Sequence, residues 1–263
     1  MDAQTQQAVA AMWSDGDYGR IGELLEPAAD AIAERLGTGE GRPAIDIATG
    51  TGSVALRLAR LGWQTTAVDI SHTLLDQGER SARREGLSIE WREAPFEELP
   101  WTEGTFEAAA SSFGLIFAAD PSAAIAGVAR SLKSAGRLVF TAWAPHGYMA
   151  EMTEIMMRHL PGTPSTEGQF SWGSPQEVTD LLDQDFTEIE TAARTLPWRF
   201  PSAAAAVDLY FTASPAHRAA ARAAGDRAEK MKAALADHLA ASALRDGRID
   251  LEVDYLLVTA VRC

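Results

Sequence analysis

The stretch from Ala44 to Ser71 carries a glycine turn, Gly50-Thr51-Gly52, between a short apolar run and a helical one. Glycines let a backbone bend sharply and let another molecule approach the main chain closely. An acid stands on each side of the turn: Asp46 in the run before it, and Asp69 at the end of the next strand-like run. A chain that passes from strand to helix through such a turn has few folds open to it, and the neighbouring pattern narrows them further.

Strand-like runs at Ala44–Ala48, Gln64–Ile70, Ile89–Arg92, Thr105–Ser112 and Gly136–Trp143 alternate with helical ones. Val54, Leu58 and Leu61 share one helical face, and Gly62 is a C-terminal stop. Ser71 can cap the next helix, and Asp120 before Pro121 predicts another helix start. Alternating strands and helices predict right-handed crossovers and a parallel sheet covered on both faces.

The flanks differ. Residues 1–42 are helical, with Leu24, Leu25, Ala28, Ile32 and Leu36 at helical spacing. Beyond Trp143 come a Met-rich helix at Met149–Leu160, a loop at Pro161–Gly168, a short helix at 175–183 and a strand at Phe186–Ala192. Alanine-rich helices and a closing strand at Tyr255–Val261 follow. The expected organisation is one α/β domain: a helical lid over 1–42, a core over 43–145, and cap helices with closing strands over 146–263.

The charge of the 263 residues restricts the partners. With 23 Lys and Arg against 37 Asp and Glu, the formal net charge is -14. Such a surface repels phosphate backbones and anionic membranes, so neither nucleic acid nor membrane is expected. No apolar run reaches the length of a membrane span, and the N-terminus lacks the pattern of a signal peptide. Cys263 is the one cysteine, which excludes an internal disulfide and a multi-cysteine metal site. A cytoplasmic protein acting on a small molecule, as monomer or homodimer, is the expectation.

Turn and second acid together suggest a nucleoside site, because a carboxylate at Asp69 can accept bonds from both ribose hydroxyls. Gly50 to Ala55 also fits the loose dinucleotide fingerprint. Asp46 argues against a diphosphate there. It favours a ligand with a positive group and no phosphate, such as S-adenosylmethionine.

D-I-A-T-G-T-G-S (Asp46–Ser53) resembles the first motif of the class I S-adenosylmethionine-dependent methyltransferases, and A-V-D-I-S around Asp69 their second. E-E-L-P-W, G-T-F-E, S-S-F-G-L-I-F-A-A-D-P and G-R-L-V-F-T-A-W resemble later segments. W-S-D-G-D-Y (Trp13–Tyr18) resembles the lid of the small-molecule, quinone-biosynthesis-type branch. The resemblance implies a Rossmann-like fold with a seven-stranded, mostly parallel sheet, an antiparallel final strand and a helical cap. It implies methyl transfer from S-adenosylmethionine to a small-molecule acceptor at oxygen, nitrogen or carbon; if Phe113, Phe117, Tyr148, Phe170 and Trp172 wall the pocket, that acceptor is apolar or aromatic. Asp46, Ala48, Gly50 and Gly52 would border the methionine end, Asp69 the ribose, and Ile70 and Phe96 the adenine. Ser112 and Phe113 would face the methyl group, with Trp13 and Tyr18 closing over it. Pro95 stands where the family usually has an aspartate for the adenine amino group; either Glu93 or Glu97 substitutes, or the contact is missing. His146, after the fifth strand, is the candidate general base. The same fold binding the cofactor without methyl transfer, as in a cyclase, and an NAD-dependent oxidoreductase are the alternatives.

Overall fold

The computed structural model describes residues 3–162 and 167–263. Helices α1 (Ala3–Trp13) and α2 (Tyr18–Leu36) come first. The alternating core follows: β1 (Pro43–Ile47), α3 (Ser53–Arg60), β2 (Gln64–Asp69), α4 (His72–Glu85), β3 (Ile89–Glu93), β4 (Phe106–Ser112), α5 (Pro121–Ser131) and β5 (Leu132–Trp143). Then come α6 (Tyr148–Met157), α7 (Glu167–Ser171), α8 (Pro175–Leu182) and β6 (Phe186–Phe200). Helices α9 (Ala203–Ala213), α10 (Pro215–Ala224) and α11 (Ala228–Ala241) precede β7 (Ile249–Arg262). Of the loop expected at 161–168, residues 163–166 lie outside the described residues, and 167–168 open α7.

The seven strands form one sheet in the order β3-β2-β1-β4-β5-β7-β6. Strands β1 to β5 are parallel, and β7 runs antiparallel to both of its neighbours. The sequence dictates this burial. Central β4 is built on Phe106 and Ala108–Ala110, whose small side chains let elements on either face approach closely. Edge strand β3 carries Glu90, Arg92 and Glu93, charges that discourage pairing with another chain. On α2, Leu25, Ala28, Ala29, Ile32 and Leu36 form one buried stripe against α3 and the sheet. Truncating a side chain such as Ile32 in that layer costs about 2–5 kcal/mol. The expected caps form: Ser71 Oγ accepts from Leu74 N–H (3.3 Å), and Asp120 Oδ1 from Ala123 N–H (3.0 Å).

The closing strands are longer than expected. The partner of β5 in β7 ends at Tyr255, opposite Trp143, yet β6 and β7 stay paired from Thr195↔Asp254 out to Phe200↔Ile249. This ribbon projects roughly 20 Å past the C-terminal edge of the parallel strands. Leu196, Trp198 and Phe200 alternate with exposed residues, as do Ile249, Leu251 and Val253 on its partner. Helices α9, α10 and α11 fill the insertion between the two strands, and pack on α2, α1 and α6 respectively. The Met-rich α6 buries Met152 and Met156 and lies against β7 and α11, so these methionines are core.

Candidate functional site

Strands β1 and β2 pair in register, so the turn after β1 and the acid ending β2 meet at the C-terminal edge of the sheet. The turn needs left-handed backbone at Ala48 (φ 52°), Gly50 (57°) and Gly52 (88°). Asp46 lies buried beneath it. Its Oδ2 accepts hydrogen bonds from the Thr49 hydroxyl and from Ala55 N–H (2.9 Å), tying the end of β1 to the first turn of α3. Its Oδ1 is buried with no partner among the described residues. Burial pushes the Asp46 pKa up to about 7, with the bonds from Thr49 and Ala55 opposing and the charge of Asp69 adding. Asp69 Oδ2 accepts from Gly50 N–H and Oδ1 from Ser71 N–H, each at 2.8 Å. Burial raises its pKa also, against these backbone bonds.

A cavity opens above the turn. Its floor is Ala48, Gly50 and Asp69, and one wall is Ile70, Leu74, Ala94, Pro95, Phe96 and Glu97. The opposite wall follows β4: Ser112, Phe113, Gly114, Phe117 and Ala119. Phe113 holds a left-handed φ of 54° and donates its N–H to Thr141 Oγ1 (3.1 Å), while its ring stacks on Trp143 with centroids 3.8 Å apart. Ser112 Oγ is buried with no hydrogen-bond partner among the described residues.

The roof is helical. Thr5, Val9 and Trp13 of α1 border the cavity, with Tyr18 at the start of α2. Trp13 meets Tyr18 and Phe117 edge to face, at 5.9 and 4.9 Å. Tyr18 lies over the turn, where a Cβ on Gly50 would come within 3.3 Å of its ring. Burial, then the charge of Asp69, pushes the Tyr18 pKa up to about 12. Among the described residues lining the cavity there is no histidine, lysine, arginine or cysteine.

A family profile described as a methyltransferase domain matches residues 45–140. An uncharacterised protein of Mycobacterium tuberculosis is 30% identical over 258 residues, 95% of this chain and 92% of that one. The ubiquinone/menaquinone biosynthesis C-methyltransferase of Klebsiella pneumoniae is 33% identical over 108 residues, 39% of this chain and 43% of that one. The crystal structure of the YcgJ protein of Bacillus subtilis superposes with a TM-score of 0.63 at 16% identity, covering 89% of this chain and 97% of that one. The chain belongs to the class I S-adenosylmethionine-dependent methyltransferases. S-adenosylmethionine is its cofactor, and the seven-stranded Rossmann-like sheet is the fold expected of it.

This methyltransferase brings ten of the residues expected at its site to one cavity: Trp13, Tyr18, Ala48, Gly50, Asp69, Ile70, Pro95, Phe96, Ser112 and Phe113. Three are placed elsewhere. Asp46 is under the turn, its Oδ2 turned to the protein's own Thr49 and Ala55. Gly52 faces inward, where a Cβ would come 2.7 Å from Trp91, so its glycine serves packing between α3 and β3. His146 is exposed between β5 and α6, off the cavity wall. Of the two adenine-side substitutes, Glu97 borders the cavity, whereas Glu93 lies beside His72 (3.5 Å). His217, away from the cavity, packs between Tyr210 and Phe211 and bonds Ser214 Oγ (2.8 Å), and burial pushes its pKa down to about 4. Thr5 and Val9 went unnoticed in the sequence. The steps of four from Thr5 to Val9 and from Val9 to Trp13, one helix face, were the available signal.

Among the described residues no group of side chains could hold a metal ion, and no helix is long and apolar enough to cross a membrane.

Proposed function

We propose that this methyltransferase acts on an uncharged, apolar or aromatic small molecule held between the β4 wall and the α1 roof. The observation that carries the proposal is the lining itself. Trp13, Phe113 and Phe117 supply aromatic surface, and no cationic side chain among the described lining residues could neutralise a carboxylate or phosphate.

The cavity's groups fit the cofactor. Each Asp69 oxygen is engaged by a main-chain N–H and keeps acceptor capacity for ribose hydroxyls. Gly50 leaves bare backbone beside the cavity, and Ser112 Oγ needs a partner. Ile70 and Phe96 offer apolar surface to the adenine, and Glu97 an acceptor for its amino group where Pro95 has none. Asp69 and Glu97, with Asp46 beneath, favour a cationic ligand over a diphosphate.

When bound, the cofactor supplies a methyl carbon already activated by sulfonium. What remains for the chain is to position the acceptor and exclude water. Orientation of this kind is worth up to roughly 7–11 kcal/mol in well-aligned systems. The described lining holds no histidine or lysine, so its candidate bases are the carboxylates Asp69 and Glu97, which this reading assigns to the cofactor, and an acceptor atom nucleophilic without a base suits the cavity best.

Calorimetric titration with S-adenosylmethionine, S-adenosylhomocysteine and NAD is the first test, with the two adenosyl ligands expected to bind and NAD not. The second is a panel of aromatic acceptors in matched neutral and phosphorylated forms, read by release of S-adenosylhomocysteine. Turnover of the phosphorylated members would overturn the assignment of substrate class.

A further inference from the structure

The roof of the cavity is held chiefly from the cap. Helix α1 has 11 residues, too short to be stable alone in water, and most of its described residues are exposed or half-buried. Its main packing partner is α10, which lies in the insertion between β6 and β7, some two hundred residues further along the chain. The joint between them is specific. Asp15, just after α1, divides its carboxylate between two arginines one turn apart on α10. Oδ1 pairs with Arg218 Nη2 at 2.7 Å, and Oδ2 with Arg222 Nη1. The neighbouring backbone is seated on the same corner. Asp17 N–H donates to Ala213 O (3.1 Å), and Gly16, at φ 112°, passes so close that a Cβ would meet that oxygen at 2.6 Å. On its other side this segment meets the N-cap of α4, with Ser14 Oγ 2.9 Å from Ser71 Oγ, one residue after Ile70 of the cavity wall.

We propose that Asp15, Arg218 and Arg222 are positioning residues: an ionic clasp by which the cap insertion holds α1 shut over the cavity and so sets how fast cofactor exchanges. The proposal rests on the reading of the cavity as the cofactor site. The guanidinium groups of Arg218 and Arg222 hold the Asp15 carboxyl below the usual carboxylate range, consistent with a charge that both arginines serve. A single exposed ion pair contributes little, but two on one partly shielded carboxylate act as a network. Because α10 is the main packing partner of α1, the clasp stands at the joint that opposes its local opening. Thr5, Val9 and Trp13 would leave together when it opens, exposing the cavity along one face.

The test begins on the ligand-free protein, by amide hydrogen exchange. In Asp15→Asn, and in Arg218→Gln with Arg222→Gln, protection across residues 3–13 should fall about three- to tenfold while α2 is unchanged. The triple variant should show no further loss, and Asp15→Glu should retain most of the protection. The wild type in 1 M salt should behave like Asp15→Asn. Stopped-flow tryptophan fluorescence should then show S-adenosylhomocysteine leaving Asp15→Asn faster by a similar factor. Unchanged exchange in α1, or equal loosening of α1 and α2, would overturn the clasp. So would unchanged dissociation of a ligand that the wild type binds. Failure of the wild type to bind would instead sink the reading of the cavity, and the exchange measurement would still decide whether the clasp exists.

Discussion

The floor and the cap of this molecule are built on different principles. The floor, from β1 to the end of β4, is defined by backbone. Left-handed residues at Ala48, Gly50, Gly52 and Phe113 shape it, and Asp46 and Asp69 fasten it by accepting main-chain N–H groups. The cap is defined by volume. Trp198 meets Trp143, Tyr148, Phe200 and Tyr210 at centroid distances between 6.1 and 6.3 Å, and the hydroxyls of Tyr148 and Tyr210 bond at 3.0 Å in the same cluster. Backbone shapes tolerate few residue types. A packed volume tolerates many combinations of the same size. A floor of the first kind suits a cofactor shared by a whole family, and a cap of the second kind can change with the acceptor.

The largest expected effect lies in the cap and should spare the floor. Trp198 is 4% exposed, and its Nε1 donates to Leu24 O (3.1 Å), joining the ribbon to α2. Trp198→Ala should destabilise the protein by about 3–5 kcal/mol. Below the unfolding transition, cofactor affinity by calorimetry should stay within about threefold, since binding at the floor does not draw on that side chain. A parallel collapse of affinity would mean that the two regions are one cooperative unit.

The reverse experiment is Asp69→Asn. An amide keeps the shape but loses the charge and one acceptor, where backbone N–H groups and, on the proposed reading, a ribose converge. Cofactor affinity should fall about 100-fold, the scale of one or two charge-assisted bonds. Thermal stability should fall by less than in Trp198→Ala. Unchanged affinity would remove the ribose from this position.

These two regions were unequally legible. The five parallel strands, the capping residues Ser71 and Asp120, and ten residues of the cavity could be read in advance, because turns, caps and alternation impose residue types at fixed spacings. The second half of β6 and the first part of β7, which pair as the outer ribbon, were missed. Thr195-Leu196-Pro197-Trp198-Arg199-Phe200 does alternate, but a proline and two polar residues disguise a ribbon with one buried face. Gly52 was misplaced because a glycine bare toward a ligand and one bare toward Trp91 are the same letter. The clasp joins Asp15 to Arg218 and Arg222 across the chain, and nothing in local pattern reports such a contact.

Asp46 sharpens the comparison through pH. Its folded pKa, about 7, stands above the ordinary carboxyl value of 3.8 because burial disfavours the charged form. The folded state therefore holds a proton that the unfolded state has released. Its stabilising contribution is complete below about pH 3.8 and is lost progressively as pH rises to about 7. Asp69, raised for the same reason, acts with the same sign. The slope for one proton is at most about 1.4 kcal/mol per pH unit. Urea unfolding across this window should show a component that vanishes in Asp46→Asn and persists in Trp198→Ala. A slope unchanged by Asp46→Asn would place the proton elsewhere.

The smallest effect separates binding from stability at a single atom. Ser112 Oγ is buried at the cavity wall with no partner, an arrangement that costs free energy in the empty protein. Ser112→Ala removes the unsatisfied hydroxyl, so the ligand-free protein should be as stable as the wild type or slightly more so. If a ligand supplies the missing partner, the same change should weaken its binding by about 0.5–1.5 kcal/mol, three- to tenfold. Opposite signs in a thermal melt and a titration of one variant are difficult to obtain from general damage, which would lower both. Weakened S-adenosylhomocysteine binding would assign the hydroxyl to the cofactor. Unchanged binding of that ligand with a raised KM for the acceptor would assign it to the acceptor and draw the boundary between floor and cap before Ser112 rather than after it. Unchanged values in all three measurements would mean that Ser112 touches neither.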